Sequence, residues 1–527
     1  MKKVLVSDTL AKDGISIFKN APGIEVDVIT DLTPDKLKDI IKGYDGLAIR
    51  SATKVTKDVI DKAARLRVIG RAGIGLDNVA VHAASKKGIV VMNAPGGNTI
   101  TTAEHAIAMM LSIARRIPQA TTSTKAGKWE KKRFVGSEVS NKILGIIGIG
   151  RVGSIVANRA QGLKMNVIAY DPFISREAAE KIGVSPASFD EVLEKADFIS
   201  VHSPLTAETK GLLDASSFAK MKNGVFIINC ARGGIIDENA LHDALVSGNV
   251  AGAALDVFEE EPTRNTKLLS LDNFICTPHL GASTDEAQKN VAIAIARQIV
   301  DYLTTGEIKN AVNFPSVSAE VLAQIKPYLT LAEKLGNFEA QLVQGGIREV
   351  AIEYSGAILE HNVAPVTISL LKGLLTPVMN DNVNYINAPL IAEERGIKVI
   401  ESKSSEIKDY KNMISVTVKT DQEDLFAAGT IFGRQDMRIV CINKFMLDVI
   451  PEGYMLVLYN YDRPGVIGNI TTTLGNDNVN IARLHLGREQ VDGKALVVLS
   501  TDSPISGITL NKLKELPNII SVTRLVM

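Results

Sequence analysis

The chain is poor in the features that mark secreted, membrane-bound and nucleic-acid-binding proteins. Its 527 residues include three cysteines, Cys230, Cys276 and Cys441, widely scattered and odd in number. Without a C-x-x-C spacing they suggest neither a disulfide framework nor a zinc site, no metal is expected, and a reducing cytoplasm fits. No apolar run reaches the roughly 18 residues of a membrane span. The opening segment Met1 to Asp8 has basic residues but only a strand-length apolar run, too short for the core of a signal peptide. An excess charge is missing too. The 59 basic residues balance 59 acidic ones, which removes the positive footprint of a nucleic-acid binder.

What is present is length and rhythm. A chain of this size is too long for one hydrophobic core, so several domains are expected. Short apolar runs alternate with helical patterns from the start: Val4–Val6, Val26–Ile29, Leu47–Ile49, Val68–Ile69 and Val90–Met92. A second series follows at Ile143–Ile147, Val167–Tyr170, Phe198–Val201, Val225–Asn229, Ala251–Leu255 and Phe274–Thr277. Strands alternating with helices predict α/β architecture with two doubly wound parallel sheets. One long helix is expected over Thr101–Arg116 to carry the chain from the first domain to the second. Another over Thr284–Leu303 would carry it back, making the second domain an insertion; two domains in plain tandem are the alternative. Past Asn313 the pattern changes to a mixed segment, with an amphipathic helix over Val321–Val343 and strands at Val350–Tyr354 and Met413–Val418. From Tyr454 the order strand, helix, strand, strand, helix, strand is that of the ferredoxin-like βαββαβ unit. It carries no catalytic residues, which favours a binding role.

The chemistry concentrates in the second series. Strand Ile143–Ile147 runs into Gly148-Ile149-Gly150-Arg151-Val152-Gly153, a helix-length pattern follows to Leu163, and Asp171 closes the next strand. Glycines at Gly148, Gly150 and Gly153 let backbone approach a pyrophosphate at a helix N-terminus, and Asp171 can accept ribose hydroxyls, so NAD is favoured over NADP. His279 follows a strand end, where side chains face the crevice of a doubly wound sheet, and an imidazole there can take a hydroxyl proton. Glu261 closes the acidic run 259–261. Hydrogen-bonded to an imidazole, its carboxylate would set the tautomer and raise the imidazole pKa. Arg232 lies beside two glycines after strand Val225–Asn229, a place where its planar fork can grip a carboxylate. His82, His105, His202, His242, His361 and His485 read as hydrogen-bonded structural residues. Arg50, Ser51, Arg71 and Gly73 stand at strand ends of the first series, where cations and free N–H groups can meet an anionic substrate.

The runs Gly148–Gly153, Ala231–Gly234, Asp256–Pro262 and Thr277–Thr284 resemble those of the D-isomer-specific 2-hydroxyacid dehydrogenases, and the resemblance extends over the whole chain to long-form members. It implies a flavodoxin-like substrate-binding domain at 1–97 and 284–314 and a Rossmann NAD-binding domain at 98–283. An α+β intervening domain at 315–452 and an ACT regulatory domain at 453–527 complete the expectation. It implies Arg232, Glu261 and His279 as catalytic residues. NAD contacts are implied at Ile74, Arg151, Val152, Asp171, Ser203, Cys230, Ala231 and Asp256 and along the turn His279, Leu280, Gly281 and Ala282. Substrate contacts follow at Arg50, Arg71 and Lys131, the last within a basic run over 128–133. The implied reaction is NAD-dependent oxidation of 3-phospho-D-glycerate to 3-phosphohydroxypyruvate, the first step of phosphorylated L-serine biosynthesis. A glyoxylate or hydroxypyruvate reductase and a non-catalytic NAD-sensing protein are the alternatives. In the last domain Asp462 matches a position that can take an amino acid's ammonium, and Asn460 and Asn480 match other ligand positions of serine-sensitive relatives. Asn460 departs from the ring-bearing residue found in some of them. L-serine is thus a candidate effector, Arg434, Arg438 and Lys444 a candidate second anion site, and exposed strand edges lead to an expected homo-oligomer, a dimer or tetramer.

Overall fold

The computed structural model describes residues 1–315, 319–379, 383–405, 410–433 and 435–527. The first sheet has five parallel strands, in the order Ile24–Val28, Lys2–Val6, Gly46–Ile49, Val68–Arg71, Val90–Asn93. This is the doubly wound order whose strand sequence reverses between the first and third strands, next to Arg50. The helix Asp285–Thr305 returns to this sheet. Thr284 caps it by accepting from the Ala287 amide and acidic residues occupy its first turn, both suited to the positive helix end, and Gly306, lacking a Cβ, ends it in the left-handed region. Its buried face, Val291, Ala292, Ile295, Ala296 and Ile299, joins Val4, Val68 and Val90 in one core. The segment between Asn93 and Asp285 is therefore inserted in this unit.

The inserted segment forms a seven-stranded parallel sheet in the order Phe274–Cys276, Val250–Leu255, Val225–Asn229, Phe198–Val201, Ile143–Ile147, Asn166–Tyr170, Ser185–Pro186. The order reverses between Ile143–Ile147 and Phe198–Val201, and ligands of such sheets bind outside the C-terminal ends of strands at that point. The connecting helix lies two residues earlier than its expected span. It spans Thr99–Ala114, breaks at Arg116 with φ 52°, and a second helix runs over Ile117–Lys125. Pro118 is the cause: its ring would meet the carbonyl four residues back, at Ala114, so the first helix cannot pass through it.

The third sheet has six strands in the order Lys398–Ser404, Ile347–Gly356, Asn412–Thr420, Asp424–Phe432, Asp436–Ile442, Phe445–Val449; the first pair is parallel and the rest antiparallel. Helices Ala319–Leu342 and Ala364–Leu375 share a core with it. This unit is pinned to the first by Ile386, which enters the core of the first sheet, by Asn384 donating to the Gly88 carbonyl at 3.2 Å, and by a Lys86–Glu394 ion pair. The last sheet, in the order Ile481–Arg488, Lys494–Thr501, Tyr454–Tyr461, Ile519–Val526, is wholly antiparallel. Alternation divides its inner strands. Leu456, Leu458, Val497 and Leu499 pack with the helices Val466–Asn476 and Gly507–Lys514, whereas Met455, Val457, Leu496 and Val498 join the core of the third sheet. Both faces are buried, which explains why Tyr454–Tyr461 reads as a nearly continuous apolar run. Among the described residues no helix is long and apolar enough to cross a membrane, and no cluster of His, Cys, Asp and Glu is arranged to hold a metal.

Candidate active site in the cleft between the two parallel sheets

The C-terminal ends of the first two sheets face a common cleft of about 600 Å³. Arg50, Ser51, Arg71, Gly73 and Ile74 line it from the first sheet; from the second come Arg151, Val152, Ser203, Cys230, Ala231, Arg232, Asp256, Glu261, His279, Gly281 and Ala282. Residues up to 232 positions apart in sequence are thus brought onto one surface.

Gly148, Gly150 and Gly153 stand behind that lining and perform three different tasks. Gly148 has φ 93°, and a side chain there would lie 2.9 Å from the Ser203 nitrogen. A Cβ on Gly153 would collide with the Gly148 carbonyl, so the helix Arg151–Gly162 can sit tightly on the turn. Gly150 is the opposite case: a Cβ there meets nothing within 4 Å, and no side chain caps the helix it opens. Free space beside uncapped N–H groups suits a pyrophosphate. Asp171 ends strand Asn166–Tyr170, its carboxylate accepting from the Ile149 and Phe173 amides at 2.9 and 2.8 Å. Arg176, the cation nearest in sequence, is engaged with Glu180 at 3.0 Å. These residues fit a dinucleotide with an unmodified ribose.

Beyond the turn, His279 Nδ1 lies 2.7 Å from Glu261 Oε2, while Glu261 Oε1 accepts from the Phe258 amide at 3.2 Å. A carboxylate accepts only, so Nδ1 carries the proton and Nε2 is left to exchange one. That hydrogen bond raises the His279 pKa above its ordinary value; burial opposes it, the charges of Glu261 and Asp256 add to it, and Arg232 subtracts. Burial pushes the Glu261 carboxyl up, but the hydrogen bond and charge of His279 bring it below its usual value. The His279 backbone is left-handed, φ 56°. It is held by its own N–H donating to the Asp256 carbonyl at 3.0 Å, and by the Asp256 carboxylate, which accepts from the Leu280 and Gly281 amides at 2.7 and 2.8 Å. Asp256 is thus committed to the turn. Leu280 does not line the cleft, and Cys230 is buried there with its thiol pushed up by burial and by Asp256.

Arg232 donates from Nη1 to the Ala231 carbonyl at 2.7 Å and lies 3.6 Å from Asp77. Gly75 leaves no room for a side chain against the Arg232 guanidinium. Burial lowers the Arg71 pKa, and the nearby cations Arg232 and Arg50 lower it further against Asp77 and Asp8. The Arg71 Nε is buried without a partner. Cations crowded into a partly desolvated cleft repel one another, and an anion relieves that repulsion. Lys131 stands apart from these residues. It lies in the 3₁₀ turn Lys131–Phe134 with its ammonium 5.8 Å from the Trp129 ring centroid, outside this cleft. The turn is drawn to the far edge of the second sheet, where Arg133 pairs with Asp272 at 2.8 Å.

Residues 107–281 match the family described as D-isomer specific 2-hydroxyacid dehydrogenase, NAD binding domain. Residues 324–443 match the D-3-phosphoglycerate dehydrogenase intervening domain, and 454–518 the ACT domain. The chain is 44% identical over 524 residues to a protein of Archaeoglobus fulgidus named D-3-phosphoglycerate dehydrogenase, covering 99% of each. A protein of the same name from Bacillus subtilis gives the same identity and coverage. The chain belongs to the D-3-phosphoglycerate dehydrogenase family. Among solved structures, D-lactate dehydrogenase from Aquifex aeolicus complexed with NAD and lactic acid is similar at 28% identity and TM-score 0.53, covering 60% of this chain and all of that one. A glyoxylate reductase from Paecilomyes thermophila is similar at 29% and TM-score 0.55, covering 59% of this chain and 98% of that one. The cofactor of this family's catalytic domain is NAD.

In the C-terminal sheet the candidate ligand residues are spread out. Asn460 is buried, donating to the Tyr461 carbonyl at 2.8 Å with its own oxygen unpartnered, and Asp462 lies 3.5 Å from Arg488. Asn480 instead donates to Asp502 at 2.6 Å. The register pairs Asn460 with Ala495 and Ile481 with Thr501, which puts Asn480 about 20 Å from Asn460, at the other end of the sheet. One chain does not bring the three together. Arg438 pairs with Asp448 at 2.8 Å and Lys444 lies 3.4 Å from Glu489, while Arg434 lies outside the described residues.

Sequence reasoning passed over Asp77 and Thr102 and read His105 and His202 only as hydrogen-bonded structural residues, which both are. His202 is partly buried beside the cleft, 2.8 Å from Ser200 Oγ, and burial drags its pKa down to about 4. Asp77 carries no spacing signal. Thr102 and His105 had one, in the polar start of the connecting helix.

Proposed function

We propose that this chain oxidises 3-phospho-D-glycerate to 3-phosphohydroxypyruvate, with Arg232, Glu261 and His279 as its catalytic residues. The observation that carries the reading is the cleft itself, where the hydrogen-bonded Glu261–His279 pair and the cations Arg50, Arg71 and Arg232 share one surface. NAD, when bound along the glycine turn, supplies the hydride acceptor. Arg232 pairs with the substrate carboxylate, and His279 Nε2 takes the C2 hydroxyl proton. Glu261 holds the imidazole by Nδ1 and stabilises the imidazolium that results. Arg71 and Arg50 take the phosphate, an anion suited to cations with few internal partners. The two relatives named above, alike over their full lengths, support this substrate. The likeness to a glyoxylate reductase stops at 59% of the chain, within the catalytic half.

The remaining parts follow from the same reading. Residues 1–97 with 284–314 form the substrate-binding domain, 98–283 the NAD-binding domain, 315–452 the intervening domain and 453–527 the regulatory domain of a cytoplasmic enzyme of serine biosynthesis. L-serine is the effector. Because Asn460 and Asn480 lie at opposite ends of their sheet, the effector site joins Asn460 and Asp462 of one copy to Asn480 of another, which makes the enzyme a homo-oligomer. Steady-state assay with NAD and 3-phosphoglycerate, with and without L-serine, tests the whole. Turnover is expected in the wild type and loss of at least ~100-fold in His279→Asn. Equal turnover of phosphohydroxypyruvate and hydroxypyruvate would overturn the substrate, and unchanged activity over millimolar serine would overturn the effector.

A further inference from the structure

The helix Thr99–Ala114 passes beneath the turn that carries His279 and touches it at two points one helical turn apart. Thr102 donates from Oγ1 to the Gly281 carbonyl at 2.9 Å. His105, three residues on and so on the same face, places Nε2 at 3.0 Å from Thr277 Oγ1 and 3.3 Å from Asp256 Oδ1. Thr277 Oγ1 in turn lies 2.5 Å from the same Asp256 oxygen. The carboxylate can only accept, so the Thr277 hydroxyl donates to it and is itself left as an acceptor. His105 Nε2 must therefore carry a proton and donate it. A directed chain results, from the His105 N–H to the Thr277 hydroxyl to Asp256, and Asp256 closes on the Leu280 and Gly281 amides.

We infer that His105 is a positioning residue for the catalytic turn, fixing the Asp256 carboxylate that holds His279 in its left-handed backbone. The inference rests on the reading of His279 as the base. Asp256 is fully buried, and burial pushes its carboxyl up, but donors from His105, Thr277, Leu280 and Gly281 outweigh that and keep it ionised. A left-handed non-glycine residue costs energy that neighbours must supply. The Asp256 clamp is that supply, and His105 is its member outside the turn and its strand. The ring is one-fifth exposed, toward a second cavity of about 650 Å³ bounded by the helix Ile117–Lys125 and the edge strand Phe274–Cys276.

The geometry separates the substitutions. Gln can present an amide N–H near the position of Nε2, Asn reaches only as far as Nδ1, and Leu donates nothing. In the full-length enzyme, His105→Leu and His105→Asn should lower kcat on the order of tenfold, the upper end of the net worth of one hydrogen bond. His105→Gln should stay within about twofold of wild type. KM for the hydroxy acid should not move, because the contacts of His105 are with Thr277 and Asp256 and not with Arg50, Arg71 or Arg232. Amide exchange in the peptide spanning Thr277–Ser283 should quicken in the Leu and Asn variants alone. A merely structural histidine would lower the melting temperature and leave kcat per folded enzyme and this exchange unchanged. Wild-type kcat in His105→Leu, unchanged exchange at Leu280 and Gly281, or no recovery in His105→Gln would each overturn the inference. The ratios are read on whichever 2-hydroxy acid the wild type oxidises, so a wrong substrate sinks the proposed function and leaves this test intact.

Discussion

Replacing Gly233 with alanine should disable the enzyme while leaving the dinucleotide site in place. Gly233 follows Arg232 and lies against the loop that carries Glu261. A Cβ there would overlap the Phe258 carbonyl and stand 2.8 Å from the Glu259 nitrogen. Its φ is not in the left-handed region, so alanine is strained by the contact alone. Non-bonded atoms settle at about 3.5 Å or beyond, so either the Arg232 turn or the 258–261 loop must retreat by on the order of 1 Å. Phe258 donates its amide to Glu261, which holds His279, so the retreat separates Arg232 from the base it must act with. A misplacement of that size costs roughly 100-fold in rate, and the overpacking costs about 1–3 kcal/mol of stability. Gly150→Ala is the control. Its methyl meets no protein atom within 4 Å, so its melting temperature should stay near wild type, but the methyl occupies pyrophosphate space and NAD affinity should fall. The assay is kcat for 3-phosphoglycerate, NADH binding by fluorescence and a thermal melt on both variants. A Gly233→Ala enzyme with wild-type kcat would refute the close approach of the two loops, and a loss confined to NAD affinity would refute the argument that Arg232 and His279 are what separates.

Glu261→Gln should shift the acid limb of the pH profile. The Glu261 hydrogen bond raises the His279 pKa, oxidation needs neutral His279, and keto-acid reduction needs its protonated form, so oxidation rises and reduction falls as pH increases through that pKa. In the variant both limbs should move to lower pH while the maximum rate drops; limbs that stay in place or move upward would contradict the pairing. A stability prediction comes from Glu339, which is fully buried in the helix Ala319–Leu342. Burial raises its pKa well above the ordinary value, offset only in part by the Ala427 backbone. The folded chain holds this proton to higher pH than the unfolded chain does, so its contribution is intact below the ordinary carboxyl pKa and is lost progressively as pH rises toward the raised one. Glu339→Met should stabilise the intervening unit by about 1–3 kcal/mol at neutral pH and flatten that pH dependence. Thermal melts from pH 4 to 8 check this, and a variant that melts lower with the same slope would refute it.

The strands were legible in sequence because parallel strands covered on both faces are short, continuous apolar runs, as in Val225–Asn229 and Phe198–Val201. Arg232, Glu261 and His279 were legible for a related reason. Each follows such a run, and in a doubly wound sheet all strand ends of that kind open on one crevice. Residues that the structure sets apart have causes of their own. Lys131 follows no strand, so its basic run gave no information about which edge of the sheet the turn would reach. Asn460 lies near the end of one strand and Asn480 just before another; both strands are antiparallel to Lys494–Thr501 and so run parallel to each other, which sets the end of one and the start of the other at opposite edges.

The amino-acid order alone determined which segments become strands, where glycine must stand so that a backbone can approach a phosphate, and which side chains end up at strand termini. These are local matters, settled within a few residues by alternation, sterics and helix-end charge. Only the tertiary structure decided that His279 sits against Glu261, that Arg71 and Arg232 crowd one cleft, and that His105 reaches across 172 positions to Thr277. Such pairings depend on strand order and on a helix returning to an earlier sheet, quantities that no local spacing encodes.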